Sequence, residues 1–234
     1  MLSIIIPTYN EASNIEELIK TLNSTLSGEK FEIIVSDDNS PDGTSEIVKK
    51  LESEYPVKLL LRAKDRGLAK SVVDGFKIAK GDFLGVIDAD FSHPPSLFKK
   101  MIQTLREKDA DIVVASRLIE GGGTEDWPKS RKLTSYLAGL LARPITPTKD
   151  PMSGYFLIKK EVIEQRALIP RGYKILLEIL AKGKYKKVEE VPFIFRDRTA
   201  GKSKLTLKVN GEYLRQLIHL YGYRVKKILR SKEK

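Results

Sequence analysis

The chain has 234 residues, with 42 lysines and arginines against 31 aspartates and glutamates, and a formal net charge of +11 at pH 7. This length, with 41% hydrophobic residues, is enough for one large domain or two small ones with a sizeable core. The lack of cysteine excludes disulfides, thiolate zinc sites and cysteine nucleophiles, and two histidines leave little room for a histidine-based metal site.

Strands and helices alternate through the first 115 residues. Apolar runs predict strands at Leu2–Ile6 (ended by Pro7), Phe31–Val35, Val57–Leu61, Phe83–Ile87 and Ile112–Ala115. The spacing of apolar residues predicts helices after Asn10–Ser13 and at Thr44–Leu51, Gly67–Ala79 and Ser96–Leu105. This alternation indicates an α/β fold with a mostly parallel sheet flanked by helices.

Polar residues collect where the predicted strands end. These clusters are Pro7–Glu11, Asp37–Asp42, Arg66-Gly67, Asp88–Asp90 and Ser116-Arg117. Ligands of parallel sheets bind beyond the carboxyl ends of the strands, so the clusters predict one site along that edge. Neither a glycine-rich dinucleotide fingerprint nor a phosphate-binding P-loop follows the first strand.

Asp88 and Asp90 are the most informative pair. Two carboxylates two residues apart at a strand end point to the same side. In a low dielectric they repel each other unless a proton or a cation lies between them. Mg²⁺ or Mn²⁺ attached to a phosphate would relieve that repulsion. The alternative is that the pair only caps the following helix.

The pattern changes after Arg117. A glycine-rich loop, Gly121–Gly123, leads to Trp127-Pro128, and a helix is predicted at Leu133–Leu141. Further predicted elements are a strand at Tyr155–Ile158, a helix at Ile175–Ala181, an edge strand at Val188–Phe195 and an amphipathic helix at Leu205–Leu229. The last helix either packs on the domain or lies on a membrane surface.

Charge is divided unevenly between the two parts of the chain. Residues 1–115 have a net charge of −4 and residues 116–234 a net charge of +15. The basic part can hold anionic lipid or phosphate, although many of its charges are expected to be ordinary solvated surface. Nucleic acid is not expected as a partner, because the basic residues lack aromatic interleaving and a recognisable nucleic-acid motif.

No signal peptide and no transmembrane helix are expected from the hydropathy pattern, because charges break every apolar run well short of about 18 residues. We therefore expect a cytoplasmic protein. Docking of the last helix on a membrane surface would make it peripheral on the cytoplasmic face of that membrane.

With these motifs in view, the chain resembles the family-2 glycosyltransferases of the GT-A fold, and among them the dolichol-phosphate (polyprenol-phosphate) mannose synthases. The resemblance extends over nearly the whole chain. The motifs that carry it are IIPTYNE, DDNSPDGT, RGL, DADFSHPP, SR at 116–117, GGG…WP, KDPMSGY and RTAGKSKL. The first four are general to the superfamily, and the last two favour polyprenyl-phosphate acceptors.

The resemblance implies GDP-mannose as donor and dolichyl (polyprenyl) phosphate as acceptor. It implies a GT-A catalytic domain at 1–204, with a nucleotide-sugar half at 1–115 and an acceptor half at 116–204, followed by a helix and basic tail at 205–234. The implied donor-binding residues are Pro7, Tyr9, Glu11, Asp38, Arg66, Gly67, Asp88, Ala89, Asp90, Arg198 and Lys204.

The resemblance also implies an acceptor-phosphate site and a metal site. The implied acceptor-phosphate residues are Arg117, Arg131, Ser135 and Ser203, and the implied catalytic residues are Asp88, Asp90, Arg117 and Arg131. Asp88 and Asp90 would hold Mg²⁺ or Mn²⁺. Ser92 stands where relatives often carry glutamine, a stronger ligand, so Ser92 is expected to bind weakly or through water.

Three alternatives remain open at this point. One is a polyprenyl-phosphate glucosyltransferase that uses UDP-glucose, and another is a polysaccharide-extending transferase. The third is a non-catalytic basic module that binds a membrane or nucleic acid. The membrane is expected to be reached through the last helix or through a separate membrane-anchoring protein. His93, which precedes two prolines, is interpreted as structural.

Overall fold

The computed structural model describes residues 1–125, 127–170, 172–196 and 207–232, without the side chains of 207–210, 227, 228 and 230–232. The fold is a three-layer α/β architecture in which helices cover both faces of one seven-stranded sheet. The strand order in this sheet is β3-β2-β1-β4-β7-β5-β8. The strands are β1 Leu2–Thr8, β2 Phe31–Asp37, β3 Val57–Leu61, β4 Phe83–Val86, β5 Ile112–Ser116, β6 Gly123–Thr124, β7 Phe156–Lys159, β8 Val188–Pro192 and β9 Ile194–Phe195.

Seven α-helices accompany these strands in the described residues. They are α1 Ile15–Thr25, α2 Thr44–Leu51, α3 Leu68–Ile78, α4 Leu97–Glu107, α5 Lys129–Ala142, α6 Ile175–Lys182 and α7 Leu207–Lys232. The predicted strand at Val188–Phe195 is wrong as one element, because β8 belongs to the main sheet whereas β9 pairs with β6.

The predicted mostly parallel sheet is confirmed, with one exception. β7 runs antiparallel to both of its neighbours, β4 and β5, whereas every other pair in the sheet is parallel. The chain thus leaves β5, makes a long excursion and returns beside it, and the Ala115 N–H donates to the Tyr155 carbonyl at 3.0 Å.

The prediction that Pro7 ends the first strand is wrong. Pro7 pairs with Ser36, and β1 continues to Thr8. The Ile87 N–H donates to the carbonyl of Ile5, so the main-chain hydrogen-bonding groups of Ile5 point toward the β4 side of β1. The main-chain groups of Pro7, two residues further along the strand, point to the same side. β4 has already ended there, and proline therefore costs the sheet no hydrogen bond.

Both faces of the sheet are buried. Ile4 and Ile6 of β1 pack with α1, α2 and α4, whereas Ile5 packs with α3 and α6 on the other face. The near-continuous apolar strands of this sequence are what a parallel sheet covered on both faces requires. As a result the polar residues lie at the edge of the sheet formed by the carboxyl ends of the strands.

A third apolar cluster lies outside these two layers. It joins α5, α6 and α7 through Ala142, Leu177, Tyr213, Leu217 and Leu220. In the described part of the chain, no helix is long and apolar enough to cross a membrane.

Candidate active site

Asp38, directly after β2, is buried in a network that sequence reasoning missed. Its carboxylate contacts the guanidinium of Arg62, which also donates to Asp74 at 2.9 Å. The second Asp38 oxygen accepts the Gly67 N–H at 2.7 Å. Gly67 has φ 144°, which favours glycine. Asp38 therefore holds the segment between β3 and α3 against the carboxyl edge of the sheet.

Arg62 could have been suspected from the sequence. It is the first residue after a predicted strand, and two acidic residues follow the neighbouring strand. A lone arginine after a strand is nevertheless common, so its burial between two carboxylates emerges only from the strand order.

Tyr9 and Arg66 form the outer surface beside this network. The Arg66 guanidinium lies 5.2 Å from the centroid of the Tyr9 ring and donates to the Asn39 carbonyl at 3.4 Å. A ring and a planar cation at the carboxyl ends of β1 and β2 suit stacking of a nucleobase.

The other residues predicted for the donor nucleoside lie in or near β1. Pro7 is buried within the strand. The Glu11 backbone N–H donates to the Thr44 hydroxyl at 3.0 Å, and its carboxylate accepts from the Asn14 side chain at 3.0 Å. Glu11 therefore helps to fix the start of α1 against the turn that precedes α2.

Asp88 and Asp90 follow β4, as predicted, but the two carboxylates have different surroundings from each other. Asp90 is 4% exposed and accepts the backbone N–H and the hydroxyl of Ser92 at 3.1 and 2.5 Å. Asp88 keeps 28% of its side chain exposed and lies 3.7 Å from Nδ1 of His93. Phe91, directly after Asp90, has φ 57°, an uncommon value that shapes the turn.

The carboxylate pair fits a hard divalent ion, but not as a complete protein cage. In the described ranges, no group of three or more histidine, aspartate or glutamate side chains is arranged to hold a metal. Mg²⁺ and Mn²⁺ sites commonly combine one or two carboxylates with water and substrate phosphate. The Ser92 hydroxyl donates to Asp90, and its weak or water-mediated role at a metal stays a prediction.

His93 lies in an aromatic cluster beneath the pair. Its ring is 5.2 Å from Tyr155, 5.4 Å from Phe193 and 5.7 Å from Phe195. Burial is the main cause that lowers the pKa of His93 to about 3, so the ring is neutral near pH 7. These contacts support the structural interpretation of His93.

Arg117, at the end of β5, is paired within the protein. Its guanidinium donates two hydrogen bonds to Asp150, at 2.8 and 2.7 Å, and its backbone N–H a third at 3.0 Å. Burial raises the pKa of Asp150, but the hydrogen bonds and charge of Arg117 outweigh it and hold that pKa below its usual range. Asp150 thereby fixes the orientation of Arg117.

Trp127 brings the two predicted acceptor arginines together. The Arg131 guanidinium lies 3.9 Å from the indole centroid and that of Arg117 lies 5.5 Å away. Ser135 is one turn along α5 from Arg131, so both lie on one side of that helix. The structure thus gathers Arg117, Arg131 and Ser135 in one region.

Lys174, the residue before α6, is a cation that sequence reasoning missed. The residue as a whole is half-buried, and its ammonium interacts electrostatically with Asp88, Asp150 and Arg117. Burial, and then the charge of Arg117, lowers the pKa of Lys174 to about 8. One lysine among many in a basic region gives no sequence signal. Lys174 is thus coupled electrostatically to Asp88, one member of the carboxylate pair, and to Arg117.

Three predicted residues cannot be placed, since Arg198, Ser203 and Lys204 lie outside the described residues. Ala89 is buried between Asp88 and Asp90.

Comparisons with known proteins agree on a family. The family model described as "Glycosyl transferase family 2" matches residues 3–166. A Pyrococcus furiosus protein named dolichol-phosphate mannosyltransferase is 49% identical over 93% of this chain, which spans 63% of that relative's length. A Saccharomyces cerevisiae protein of the same name is 40% identical over 95% of this chain and 87% of its own.

Solved structures show the same fold at low sequence identity. Glucosyl-3-phosphoglycerate synthase from Mycobacterium tuberculosis, crystallised with Mn²⁺, UDP and glucosyl-3-phosphoglycerate, has a TM-score of 0.69 at 20% identity and covers 96% of this chain and 79% of its own. A mannosyltransferase from Pyrobaculum calidifontis, in complex with GDP-Man and Mn²⁺, has a TM-score of 0.62 at 20% identity over 86% of this chain and 58% of its own.

Proposed function

The chain belongs to glycosyl transferase family 2, and from that premise we propose that it transfers mannose from GDP-mannose to a dolichyl (polyprenyl) phosphate. The observation that carries the proposal is the position of Arg117 and Arg131 beside one indole ring, with Lys174 in electrostatic interaction with both Arg117 and Asp88. An anionic acceptor and a nucleoside diphosphate can be held side by side there. The names of the relatives favour mannose and dolichol phosphate over the alternatives.

The donor would lie over the carboxyl ends of β1, β2 and β4. Tyr9 and Arg66 offer a stacking surface for the base, and Asp38 fixes the segment that carries Arg66 and Gly67. Pro7, Glu11 and Ala89 would line the same side. Arg198 and Lys204 remain assigned to the donor by resemblance alone.

The acceptor phosphate would lie between Arg117, Arg131 and Ser135, with Ser203 assigned by resemblance alone. The planar guanidinium of Arg131 can bind phosphate oxygens in pairs, which lysine does not match. Arg117 donates from Nε and Nη2 to Asp150, so it would bind phosphate through its remaining N–H groups. A phosphate oxygen is already an anion, so the reaction needs no side chain to remove a proton. The residues then act by positioning and by charge stabilisation. A single displacement on GDP-α-mannose gives a β-mannosyl phosphate lipid.

Mg²⁺ or Mn²⁺ would be held by Asp88 and Asp90, with Ser92 contributing at most through water. When bound, such an ion supplies positive charge for the leaving diphosphate. Two carboxylate groups after β4 provide the hard oxygen ligands that either ion prefers.

The lipid acceptor implies contact with a membrane surface, and two adjacent helices fit that role. α5 exposes a stripe at helical spacing, and α7 exposes another; the exposed residues are Leu133, Tyr136, Leu137, Leu140, Leu141, Leu214, Ile218, Val225 and Leu229. Exposed Lys132 and Arg215 lie on the same helices, which suits anionic headgroups. We propose that this α5–α7 surface lies on the membrane peripherally, alone or with a separate anchoring protein.

The test is transfer of radiolabel into the lipid phase. The protein is incubated with Mn²⁺ or Mg²⁺, a short polyprenyl phosphate and either GDP-[¹⁴C]mannose or UDP-[¹⁴C]glucose. We expect label only from GDP-mannose, lost in Asp90→Ala and kept in the exposed control Asp82→Ala. Transfer from UDP-glucose alone would show that the donor is UDP-glucose rather than GDP-mannose. A retained anomeric configuration would refute the single displacement.

A further inference from the structure

Gln216 is a buried polar residue on the inner side of α7. Its side chain is 1% exposed, and Nε2 donates to the backbone carbonyl of Lys174 at 2.9 Å. Its Oε1 has no hydrogen-bond partner among the described residues. A buried amide used in this one-sided way costs free energy, so it calls for a reason other than stability.

The fit around Gln216 is close. A Cβ added at Gly172 would lie 2.6 Å from Oε1 of Gln216, so Gly172 leaves space for that side chain. The contact therefore holds the segment from Gly172 to Lys174, just before α6, against α7. The Lys174 ammonium in turn interacts electrostatically with Asp88, Asp150 and Arg117.

α7 is itself fixed to α5 rather than loosely attached. The Tyr213 hydroxyl donates to the Ala138 carbonyl at 2.5 Å and the Tyr221 hydroxyl to the Leu141 carbonyl at 2.7 Å. Leu217, next to Gln216, is buried in the α5–α6–α7 cluster. One helix thus connects an exposed apolar stripe with a cation of the candidate site.

We propose that Lys174 is a further cation of the acceptor-phosphate site and that Gln216 is the positioning residue that holds it from α7. This inference rests on the proposed function, because the phosphate is that of the lipid acceptor. The hydrogen bond fixes the peptide that carries Lys174, so the ammonium starts from a restricted set of positions. The position of α7 against the segment before α6 then controls the affinity for the acceptor and leaves the affinity for the donor unchanged.

The experiment compares four proteins: wild type, Gln216→Met, Lys174→Met and the double variant. Methionine keeps most of the buried volume while removing the donor or the charge. We expect Gln216→Met to raise the KM for a short isoprenyl phosphate about fivefold, since one neutral hydrogen bond is lost, and Lys174→Met to raise it at least about tenfold, since a charged one is lost. The Kd for GDP should stay within twofold of the wild-type value in all three variants.

The double variant separates positioning from a general structural role. If Gln216 acts through Lys174, the double variant should bind the acceptor no worse than Lys174→Met alone. Additive losses, or an equal loss of GDP affinity, would overturn the inference. Gln103→Met, an exposed glutamine on α4 that bonds only within its helix in the described structure, serves as the matched control.

Binding of the isoprenyl phosphate, measured by calorimetry without donor, keeps this inference distinct from the proposed function. Equal affinities in the four proteins would overturn the role of Lys174 and Gln216 even where transfer is observed. A graded loss of affinity in the expected order would support that role even where mannose transfer fails.

Discussion

The two parts of this chain differ in what dominates their shares of the site. In residues 1–115 the polar groups at the strand ends satisfy one another, as where buried Asp37 accepts from Thr8 and Ser40 at 2.7 and 2.6 Å. After residue 115, cations lie on aromatic rings beside helices that keep apolar side chains in solvent. Of the fourteen exposed large hydrophobic side chains in the described structure, twelve belong to this second part.

This difference matches the two kinds of ligand proposed. A nucleotide is a fixed shape, and a preorganised hydrogen-bond network binds it with little rearrangement. A lipid phosphate is presented at an interface, and that calls for an apolar surface and positive charge instead. The net charges of −4 and +15 follow the same division. Variants that affect only one part can therefore test it.

The largest effect is expected where the two parts meet. Asp88→Ala should lower transfer by about 10³-fold because a ligand for the cation that stabilises the leaving group is lost. Steady-state rates over a Mn²⁺ titration measure this, with Asp82→Ala as control. Chelation should likewise stop wild-type transfer, and full activity in the presence of chelator would contradict the metal assignment.

In the second part, the buried Arg117–Asp150 pair can be broken from one side. Asp150→Asn leaves a guanidinium that is 9% exposed without its counter-charge, which should lower the free energy of unfolding by about 3–5 kcal/mol. Urea denaturation measures the change. The exposed pair of Asp109 with Lys159 gives the control Asp109→Asn, expected to cost at most about 1 kcal/mol. Equal losses would mean that burial of the pair has no influence.

In the first part, Arg62→Lys keeps the charge but loses the fork that joins Asp38 and Asp74. We expect the KM for GDP-mannose to rise about tenfold with the acceptor KM unchanged, since charged hydrogen bonds are each worth about 1.5–3 kcal/mol. Initial-rate kinetics with each substrate varied in turn would show it. Arg106→Lys, at an exposed arginine, is the control, and a rise in both KM values would argue against separate parts.

The smallest effect concerns the exposed stripe. Ile218→Glu should weaken partitioning into anionic vesicles about tenfold, since one large apolar side chain is no longer buried in lipid, and should leave the melting temperature unchanged. Vesicle co-sedimentation measures this, and Leu61→Glu, equally apolar but on β3, is the control. Unchanged partitioning in Ile218→Glu alongside a loss in Leu61→Glu would place the membrane surface elsewhere.

Much of this molecule follows from local pattern. α2 and β3 begin and end where the sequence predicts, because apolar spacing and the turn before Thr44 determine them locally. The family and the carboxylates after β4 were likewise predicted, since a buried strand ending in Asp88-Ala89-Asp90 is a local signal. The antiparallel course of β7 had no such signal, because parallel and antiparallel buried strands have similar sequences.

The site residues that sequence reasoning missed were missed for one physical reason. Arg62, Lys174 and Gln216 are single polar residues whose partners come from distant segments, so their roles depend on tertiary packing rather than on a motif. Arg117 was predicted as a phosphate ligand, and that role remains a proposal, but its fork onto Asp150 could not be inferred from a separation of 33 residues.

The return of the chain beside β5 has a consequence for diversification. Residues 118–153 form an excursion whose two ends are held together by the sheet, through Ala115 and Tyr155. Lengthening a loop with fixed ends costs only about 0.6 kcal/mol for each doubling. Changes in the length of this excursion that leave Asp150 and the packing of α5 on α7 intact are therefore expected to leave the register of β1, β2 and β4 unchanged.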